Sequence, residues 1–457
     1  MISLPSDTIA AIATPPGSGG IAVIRVSGRA AIEVGDRVFR RAGSVASPLS
    51  GALSHTVHYG QIVFDGVPID DVLVTVFRAP RTFTMEDTVE INCHGGVRVT
   101  GMVLDAVLAS GARLAAPGEF TQRAFLNGRM DLAQAEAVAD LIRARTRRAV
   151  AAARDQLAGG LSKKIERISS ELMRVLAHLE AHIDFPEEDI QPEIGGAMCV
   201  RLEAAERELV ALLQTAGEGR ILRQGLRIVI FGRPNSGKSS LLNRLLDHDR
   251  AIVSAVPGTT RDTLEEAVEL RGLPVVLVDT AGLRETSDAL EAEGIRRSRA
   301  ALDAAELVVL VIDGSRELDS DDLRLLAESG DEPRVVVLNK SDLSIRAVLP
   351  TGIEPVPVSC LSGDGIEALK NAVETAIGTV RNGESVSGIA INARHADALR
   401  RGAAGIRGAI TALSGGAAPD LVAVDLRIAV TAVGEVCGRT TTEDLLDLIF
   451  SEFCLGK

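Results

Sequence analysis

The chain has no tryptophan, one tyrosine and only 2% aromatic residues in all. Its cores must therefore rest on Leu, Val, Ile and Ala, and stacking of bases on aromatic rings is excluded as its main means of binding nucleic acid. Cysteine is also sparse. The five residues (Cys93, Cys199, Cys360, Cys437, Cys454) are odd in number, scattered and without metal-ligand spacing, which excludes a disulfide framework and suits a reducing compartment. No run approaches the roughly 18 uncharged apolar residues of a membrane span. The opening MISLPSDTIAAIATPP lacks the basic start and apolar stretch of a signal peptide, so a cytoplasmic protein with no membrane partner is expected. An excess of basic charge is missing too: 49 Lys and Arg against 62 Asp and Glu leave a net −13. Such a chain is no general polyanion binder, although a local basic patch can still hold RNA.

What is present is length, 457 residues with 46% hydrophobic content, enough for two to four domains with separate cores. Residues 1–120 read as mixed α/β, with short β-rich runs such as Ile21–Val26 and Val72–Phe77 broken by Gly/Pro clusters. From Asp131 the segment DLAQAEAVADLIRARTRRAVAAARDQL is Ala-rich, free of Gly and Pro, and apolar at helical spacing. Further helices are expected over residues 161–183, with Leu172, Val175, Leu176 and Leu179 on one face, and over about 199–215. At about Gly225 the pattern switches. The apolar runs Leu226–Phe231, Pro274–Val278, Leu307–Ile312, Val335–Leu338 and Val356–Val358 alternate with helical segments, as in a doubly wound, largely parallel sheet. After about residue 380 helical sequence returns to the end of the chain, so a nucleotide-binding domain interrupts a helical one.

GRPNSGKS (Gly232–Ser239) follows a predicted strand and opens a predicted helix. Glycines at this spacing let backbone N–H groups curl round phosphate oxygens, Lys238 neutralises β/γ charge, and Ser239 ligates Mg²⁺. Asp279-Thr280-Ala281-Gly282 ends a later strand, where the Asp can hold Mg²⁺ through water and the Gly can donate to a γ-phosphate. Asn339-Lys340-Ser341-Asp342 follows another. An Asp there accepts both N–H donors of guanine, a pair adenine lacks, so GTP is favoured over ATP. Ser359-Cys360-Leu361 stands where a last base-contacting loop belongs. The position that holds a water-orienting Gln in Ras-like proteins is Leu283, which cannot do that work. Glu285 and Glu291 both remain candidates, no arginine finger is identifiable, and a monovalent cation near Asn235 could supply its charge.

These residues, together with DTIAAIATPPGSGGIAVIRVSG near the start, HGG (His94–Gly96), PGEFTQRAFLNGRMDLAQAEAVADLI and the terminal Cys454-Leu455-Gly456-Lys457, resemble the bacterial MnmE (TrmE) family of tRNA-modification GTPases over essentially the whole chain. The resemblance implies a multidomain fold: an α/β N-terminal folate-binding and dimerisation domain (1–120), an α-helical domain in two parts (121–218 and 381–457), and an inserted Ras-like α/β P-loop G domain (219–380). It implies GTP hydrolysis coupled to building a carboxymethylaminomethyl or aminomethyl group on C5 of the wobble uridine of certain tRNAs. The partners implied are a second copy of the chain, the flavoprotein MnmG in a heterotetramer, and tRNA.

The cofactors implied are GTP/GDP, Mg²⁺, K⁺ and a 5-formyl- or methylene-tetrahydrofolate. Carried over by position, the folate would touch Arg25, Glu86, Arg129 (Lys in a relative) and Lys457. Mg²⁺ would lie on Ser239 and Thr260, and K⁺ on Asn235, Ser254 (Thr in a relative), Val256 and Thr259. The nucleotide would be lined by Asn235, Ser236, Gly237, Lys238, Ser239 and Ser240, by Ser254, Ala255, Val256, Pro257, Gly258, Thr259 and Thr260, by Asp279 to Gly282, by Asn339, Lys340 and Asp342, and by Ser359, Cys360 and Leu361. By the same resemblance Pro257 stands for an Ala and would stiffen the switch loop. The resemblance turns the choice of water-aligning carboxylate to Glu291, acting when two G domains meet, and draws Cys454 in as a catalytic candidate.

Two rivals make different predictions. A ribosome-assembly GTPase of the Era or Der type needs a basic RNA-binding appendage, and a non-catalytic folate scaffold needs a degenerate nucleotide site. His178 and His182, four apart, lack the Glu that a metalloprotease helix places directly after its first His, and are read as helix-surface or interface residues. His94 is read as a turn or packing residue, and the basic run Arg143–Arg148 as a solvated helix face.

Overall fold

The computed structural model describes residues 7–43, 48–184, 194–248, 265–279, 302, 304–327, 333–380, 390–440 and 442–456. The chain divides into two compact units: Met1–Ala139 with Gln156–Ala205 and Arg401–Lys457, and Asp140–Asp155 with Glu206–Arg400. No helix among the described residues is long and apolar enough to cross a membrane.

The first unit is built on a seven-stranded sheet of order β3-β4-β5-β6-β2-β1-β7, with β1 at Ile9–Ile12, β2 at Gly19–Ser27, β3 at Phe39–Arg41, β4 at Thr56–Phe64, β5 at Val67–Phe77, β6 at Thr88–Gly95 and β7 at Arg113–Leu114. Only the β1–β7 pair is parallel. Alternation along the strands sends Ala22, Ile24 and Val26, then Val72, Val74 and Val76, then Val89, Ile91 and Cys93 to one face, where they share a core with Val34 of helix Ala31–Val38 and Val103 and Val107 of helix Val97–Ala109. The same unit holds the long helix Gly160–Asp184, which packs against helix Pro419–Val436. Leu161, Ile165, Ile168, Leu172, Val175, Leu176 and Leu179 are buried along it. That is the 3.6-residue stripe the sequence predicts, and each such side chain contributes about 1.5–3 kcal/mol on burial.

The second unit is a doubly wound sheet of order β13-β12-β11-β8-β10-β9. Its strands are β8 (Leu226–Phe231), β9 (Glu265–Leu270), β10 (Leu273–Asp279), β11 (Leu307–Asp313), β12 (Arg334–Asn339) and β13 (Val356–Val358). All pairs are parallel except β9 with β10. Central strands are buried on both faces: Ile228, Ile230, Val309 and Val311 lie in one core, Leu310, Ile312, Val336 and Leu338 in another. Such strands read as unbroken apolar runs.

One difference from the sequence reading concerns residues 131–157. The unbroken helical pattern forms two helices, Leu132–Arg143 and Arg147–Leu157. Thr146 starts the second, its hydroxyl accepting the Ala149 N–H at 3.2 Å, a capping bond that competes with helix continuation. Ala149 then joins the core of the nucleotide-binding sheet beside Ile221 and Leu226, and Arg148 pairs with Glu218 at 3.4 Å.

Candidate functional site

Strand register brings the sequence motifs to one edge of the second sheet. Ile230 stands opposite Asp279, Phe231 opposite Leu310, Asp313 opposite Asn339, and Asn339 opposite Val358. The chain therefore leaves β13, β12, β11, β8 and β10 at their carboxyl ends, side by side, where open α/β sheets bind ligands.

At the end of β8 the loop Gly232–Gly237 turns into helix Lys238–His248. Positive φ angles at Gly232 (149°), Asn235 (65°) and Gly237 (94°) curl it, and two of these positions admit only glycine. A Cβ on Gly232 would lie 2.3 Å from the Val311 carbonyl, and one on Gly237 2.0 Å from the Asn339 amide nitrogen. The buried Lys238 ammonium donates to the Arg233 carbonyl at 2.8 Å. Ser236 Oγ is buried without a hydrogen-bond partner among the described residues. An orphaned hydroxyl beside a buried ammonium at a helix N-terminus suits an oxygen-rich anion. Ser239 and Ser240 follow in the first helical turn, both exposed.

The second half of the site is coupled to the first. Asn339, 2% exposed, donates from Nδ2 to the Ser236 carbonyl at 2.8 Å and accepts the Cys360 N–H at 3.4 Å. One amide thus ties the phosphate loop to the loop after β13. Lys340, at φ 64°, donates to Asp313 at 2.6 Å. Burial works to raise the Asp313 carboxyl, but the Lys340 and Ser315 bonds outweigh it and hold it below the usual carboxylate range. The fully buried Ser359 donates to Asp342 Oδ1 at 2.6 Å and so orients an exposed carboxylate. Burial pushes the Cys360 thiol up, and Leu361 is exposed.

Sequence reasoning missed Asp313. Its signal was available, since LVVLVID ends in Asp as LPVVLVD does. Ser254, Ala255, Val256, Pro257, Gly258, Thr259, Thr260, Thr280, Ala281, Gly282, Leu283, Glu285, Glu291 and Lys457 lie outside the described residues, as does the side chain of Asp279.

A second cluster lies in the first unit. Arg25 on β2 pairs with Glu90 on β6 at 2.8 Å, and its guanidinium lies 6.0 Å from the Phe83 ring centroid and 5.8 Å from that of Phe120. Arg129 approaches Phe83 to 5.3 Å and donates to the Thr82 carbonyl. Glu86 accepts from Ser27 Oγ at 2.8 Å and from Arg123 at 3.2 Å. The C-terminal tail reaches the same unit's sheet. Phe450 and Phe453 are buried with Leu132, the Cys454 carbonyl accepts the Gly118 N–H at 3.5 Å, and Gly456 lies against Ile12 and Ala13 at the end of β1. Cys454 itself is exposed. Two guanidinium groups beside aromatic faces, with a carboxylate close by, suit a planar, anionic ligand that also carries N–H donors.

The exposed His94 ring bonds Asp70 at 2.7 Å, His178 is exposed and His182 half-buried, and no metal-holding group of His, Cys, Asp and Glu occurs among the described residues. Arg143, Arg145 and Arg147 are exposed.

Two family models match the sequence, "GTP-binding protein TrmE N-terminus" over residues 8–129 and "MnmE helical domain" over 132–454. The chain is similar to proteins named tRNA modification GTPase MnmE. That of Heliobacterium modesticaldum is 47% identical over 468 aligned positions, 99% of each chain. That of Chloroflexus aurantiacus is 47% identical over 464, covering 99% of this chain and all of its own. That of Bacillus subtilis is 45% identical over 463, with the same coverage. Among solved structures, the G domain of the T. maritima FeoB iron transporter matches 33% of this chain and 98% of its own at 26% identity, with a TM-score of 0.25.

Proposed function

The chain belongs to the MnmE family of tRNA modification GTPases, and from that membership we propose that its GTP turnover serves the building of a carboxymethylaminomethyl or aminomethyl group on C5 of wobble uridine (U34). That the chain is a GTPase acting in tRNA modification follows from its family. The finer reading takes place in the cytoplasm, with a homodimer joined to the flavoprotein MnmG in a heterotetramer.

The observation that carries the reading is the coupled edge of the second sheet, where Asn339 bonds the backbone of the phosphate loop and Ser359 orients Asp342. Nucleotide identity and phosphate binding are thereby linked through one buried amide. In this reading backbone N–H groups of residues 235–239 and Lys238 hold the phosphates, and Asp342 accepts guanine's two N–H donors.

Magnesium would lie on Ser239 and Thr260, and the exposed hydroxyl of Ser239 at a helix start is a donor of the kind a hard divalent ion takes. Potassium would lie on Asn235, Ser254, Val256 and Thr259, supplying the positive charge that an arginine finger brings elsewhere. Of that set Asn235 is described, exposed in the loop with φ 65°, and it would supply one oxygen donor to such an ion. Glu291 aligns the attacking water when two G domains meet. A tetrahydrofolate derivative, 5-formyl or methylene, would be held by Arg25, Glu86, Arg129 and Lys457. The guanidinium–phenyl pairs at Phe83 and the Glu86 acceptor fit its aromatic rings, carboxylates and N–H edge.

Three measurements test the reading. Mass spectrometry of tRNA nucleosides, with and without the gene, is expected to show aminomethyl-type wobble uridines vanish on deletion and return on complementation. An unchanged profile would leave a GTPase without this role and favour ribosome assembly. Steady-state GTP hydrolysis is expected to fall at least about tenfold when sodium replaces potassium. Glu291→Ala is expected to lose turnover while keeping nucleotide affinity. Equal rates in the two salts would sink the potassium assignment.

A further inference from the structure

Next to the residues proposed for the folate, an ionic network centred on one buried arginine is not used by the GTPase chemistry. Arg123, on helix Glu119–Leu126, is 1% exposed and is among the largest fully buried side chains. Its Nη1 donates to Glu86 Oε1 at 3.2 Å and to the Asp7 carbonyl at 2.9 Å. Its Nη2 donates to Asp7 Oδ1 at 2.7 Å and Glu119 Oε1 at 3.0 Å. Arg113 closes the other side with bonds to Asp7 at 2.8 Å and Glu119 at 2.7 Å.

Two guanidinium groups thus face three carboxylates. Asp7 and Glu119 are each bonded by both arginines, whereas Glu86 is bonded by Arg123 alone. Burial works to raise Glu119, but Arg113, the Ala116 N–H and Arg123 hold it below the usual carboxylate range. Glu86 is therefore the carboxylate of the three with a single arginine partner. It is gripped from behind, because Ser27 Oγ donates to Oε2 at 2.8 Å and lies 2.6 Å from the Thr84 hydroxyl.

We propose that Arg123 and Ser27 are positioning residues that clamp Glu86 as a pre-set acceptor for N–H donors of the ligand bound beside Arg25, Phe83 and Arg129. The inference rests on the folate reading above. An exposed glutamate loses about 1.5–2 kcal/mol of rotamer freedom when a ligand immobilises it; here that ordering is complete before the ligand arrives. Arginine is needed because one planar fork must reach the Asp7, Glu86 and Glu119 side chains together, which a lysine ammonium cannot do.

The test is a double-substitution cycle in the full chain, read as 5-formyltetrahydrofolate affinity by calorimetry, with thermal unfolding of each variant as the folding check. Glu86→Gln alone is expected to weaken binding at least about tenfold, the scale of a lost hydrogen bond to a charged group. Arg123→Lys is expected to weaken it to a similar degree, and Ser27→Ala, which removes no charge, by about threefold to tenfold. In the Glu86→Gln background both further changes are expected to have little effect, because the group they position is already impaired. Losses that multiply in full would show that Arg123 and Ser27 act on the fold and not through Glu86, and would overturn the proposal. Should Arg123→Lys fail to fold, the Ser27→Ala cycle decides the clamp by itself. Absence of binding by the wild-type chain would overturn the folate reading and the clamp together. Normal wild-type binding with multiplicative losses overturns the clamp alone.

Discussion

Gly237→Ala is expected to lower kcat/KM for GTP at least about a hundredfold, roughly 3 kcal/mol of transition-state stabilisation. Two costs fall on one methyl group. Gly237 has φ 94°, where an L-residue is strained by about 1–2 kcal/mol. The added Cβ would also lie 2.0 Å from Asn339 Nδ2, the atom that donates to the Ser236 carbonyl. Either the phosphate loop opens or Asn339 swings away, and with it goes the bond to the Cys360 N–H. Phosphate cradle and base-contacting loop are then disturbed together, so GTP and GDP affinity should fall in parallel.

Gly352→Ala separates the two costs. Gly352 has a similar φ of 96°, yet its Cβ position has nothing within 4 Å. That variant carries the strain without the clash and is expected to turn over GTP within about twofold of wild type. Steady-state hydrolysis and a titration with a fluorescent GDP analogue check both. Gly237→Ala within threefold of wild type would show that the Asn339 link does not matter to the site.

The nucleotide edge was legible because its constraints are local. Glycines at positive φ, a lysine and a hydroxyl must follow one strand within eight residues, and the strands they follow are buried on both faces, hence continuous apolar runs. Leu226–Phe231 and Val356–Val358 have the same bounds in sequence pattern and in structure. β9, with sequence EEAVEL, escaped notice because it is an antiparallel edge strand on which Val268 and Leu270 are buried, too short an alternation to stand out among its glutamates. The break before Thr146 escaped for a different reason: alanine-rich sequence tolerates helix everywhere, and one hydroxyl decides where it restarts.

Most of the Glu86 network could not be read. Its bonds from Arg123 to Glu86 and Asp7 join residues 37 and 116 positions apart, and the i,i+4 pair Glu119–Arg123 has a spacing common on solvated helix faces. The register that sets Asp313 opposite Asn339 is likewise a property of the sheet, although the residue type at the strand end hinted at it.

On the folate and wobble-uridine reading proposed above, Gly456→Val is expected to weaken 5-formyltetrahydrofolate binding at least about tenfold and abolish the modification while GTP turnover stays within about twofold. The tail is held at two points. Phe450 and Phe453 are buried with Leu132, an anchor of aromatic area that one substitution at Gly456 leaves intact. The second point is Gly456 itself, at φ 87°, where a Cβ would lie 2.3 Å from the Ile12 carbonyl and 2.9 Å from Ala13 Cα. Backbone cannot yield as a flexible side chain can, and a β-branched residue tolerates positive φ least. The end of the chain must therefore lift from β1, taking Cys454 and Leu455 off their path between the two anchors. The phosphate loop, Asn339 and Asp342 belong to the other compact unit, so the nucleotide chemistry has no reason to change. Gly416→Ala, with φ 70° and nothing within 4 Å of its Cβ position, is the matched control and should bind folate normally. Calorimetry, nucleoside mass spectrometry and GTP hydrolysis on the same preparations check the three arms. If Gly456→Val binds the folate as wild type does and still supports modification, docking of the tail on β1 has no part in the N-terminal site. If GTP turnover falls along with binding, the two sites are energetically coupled, and the tail is one of the links between them.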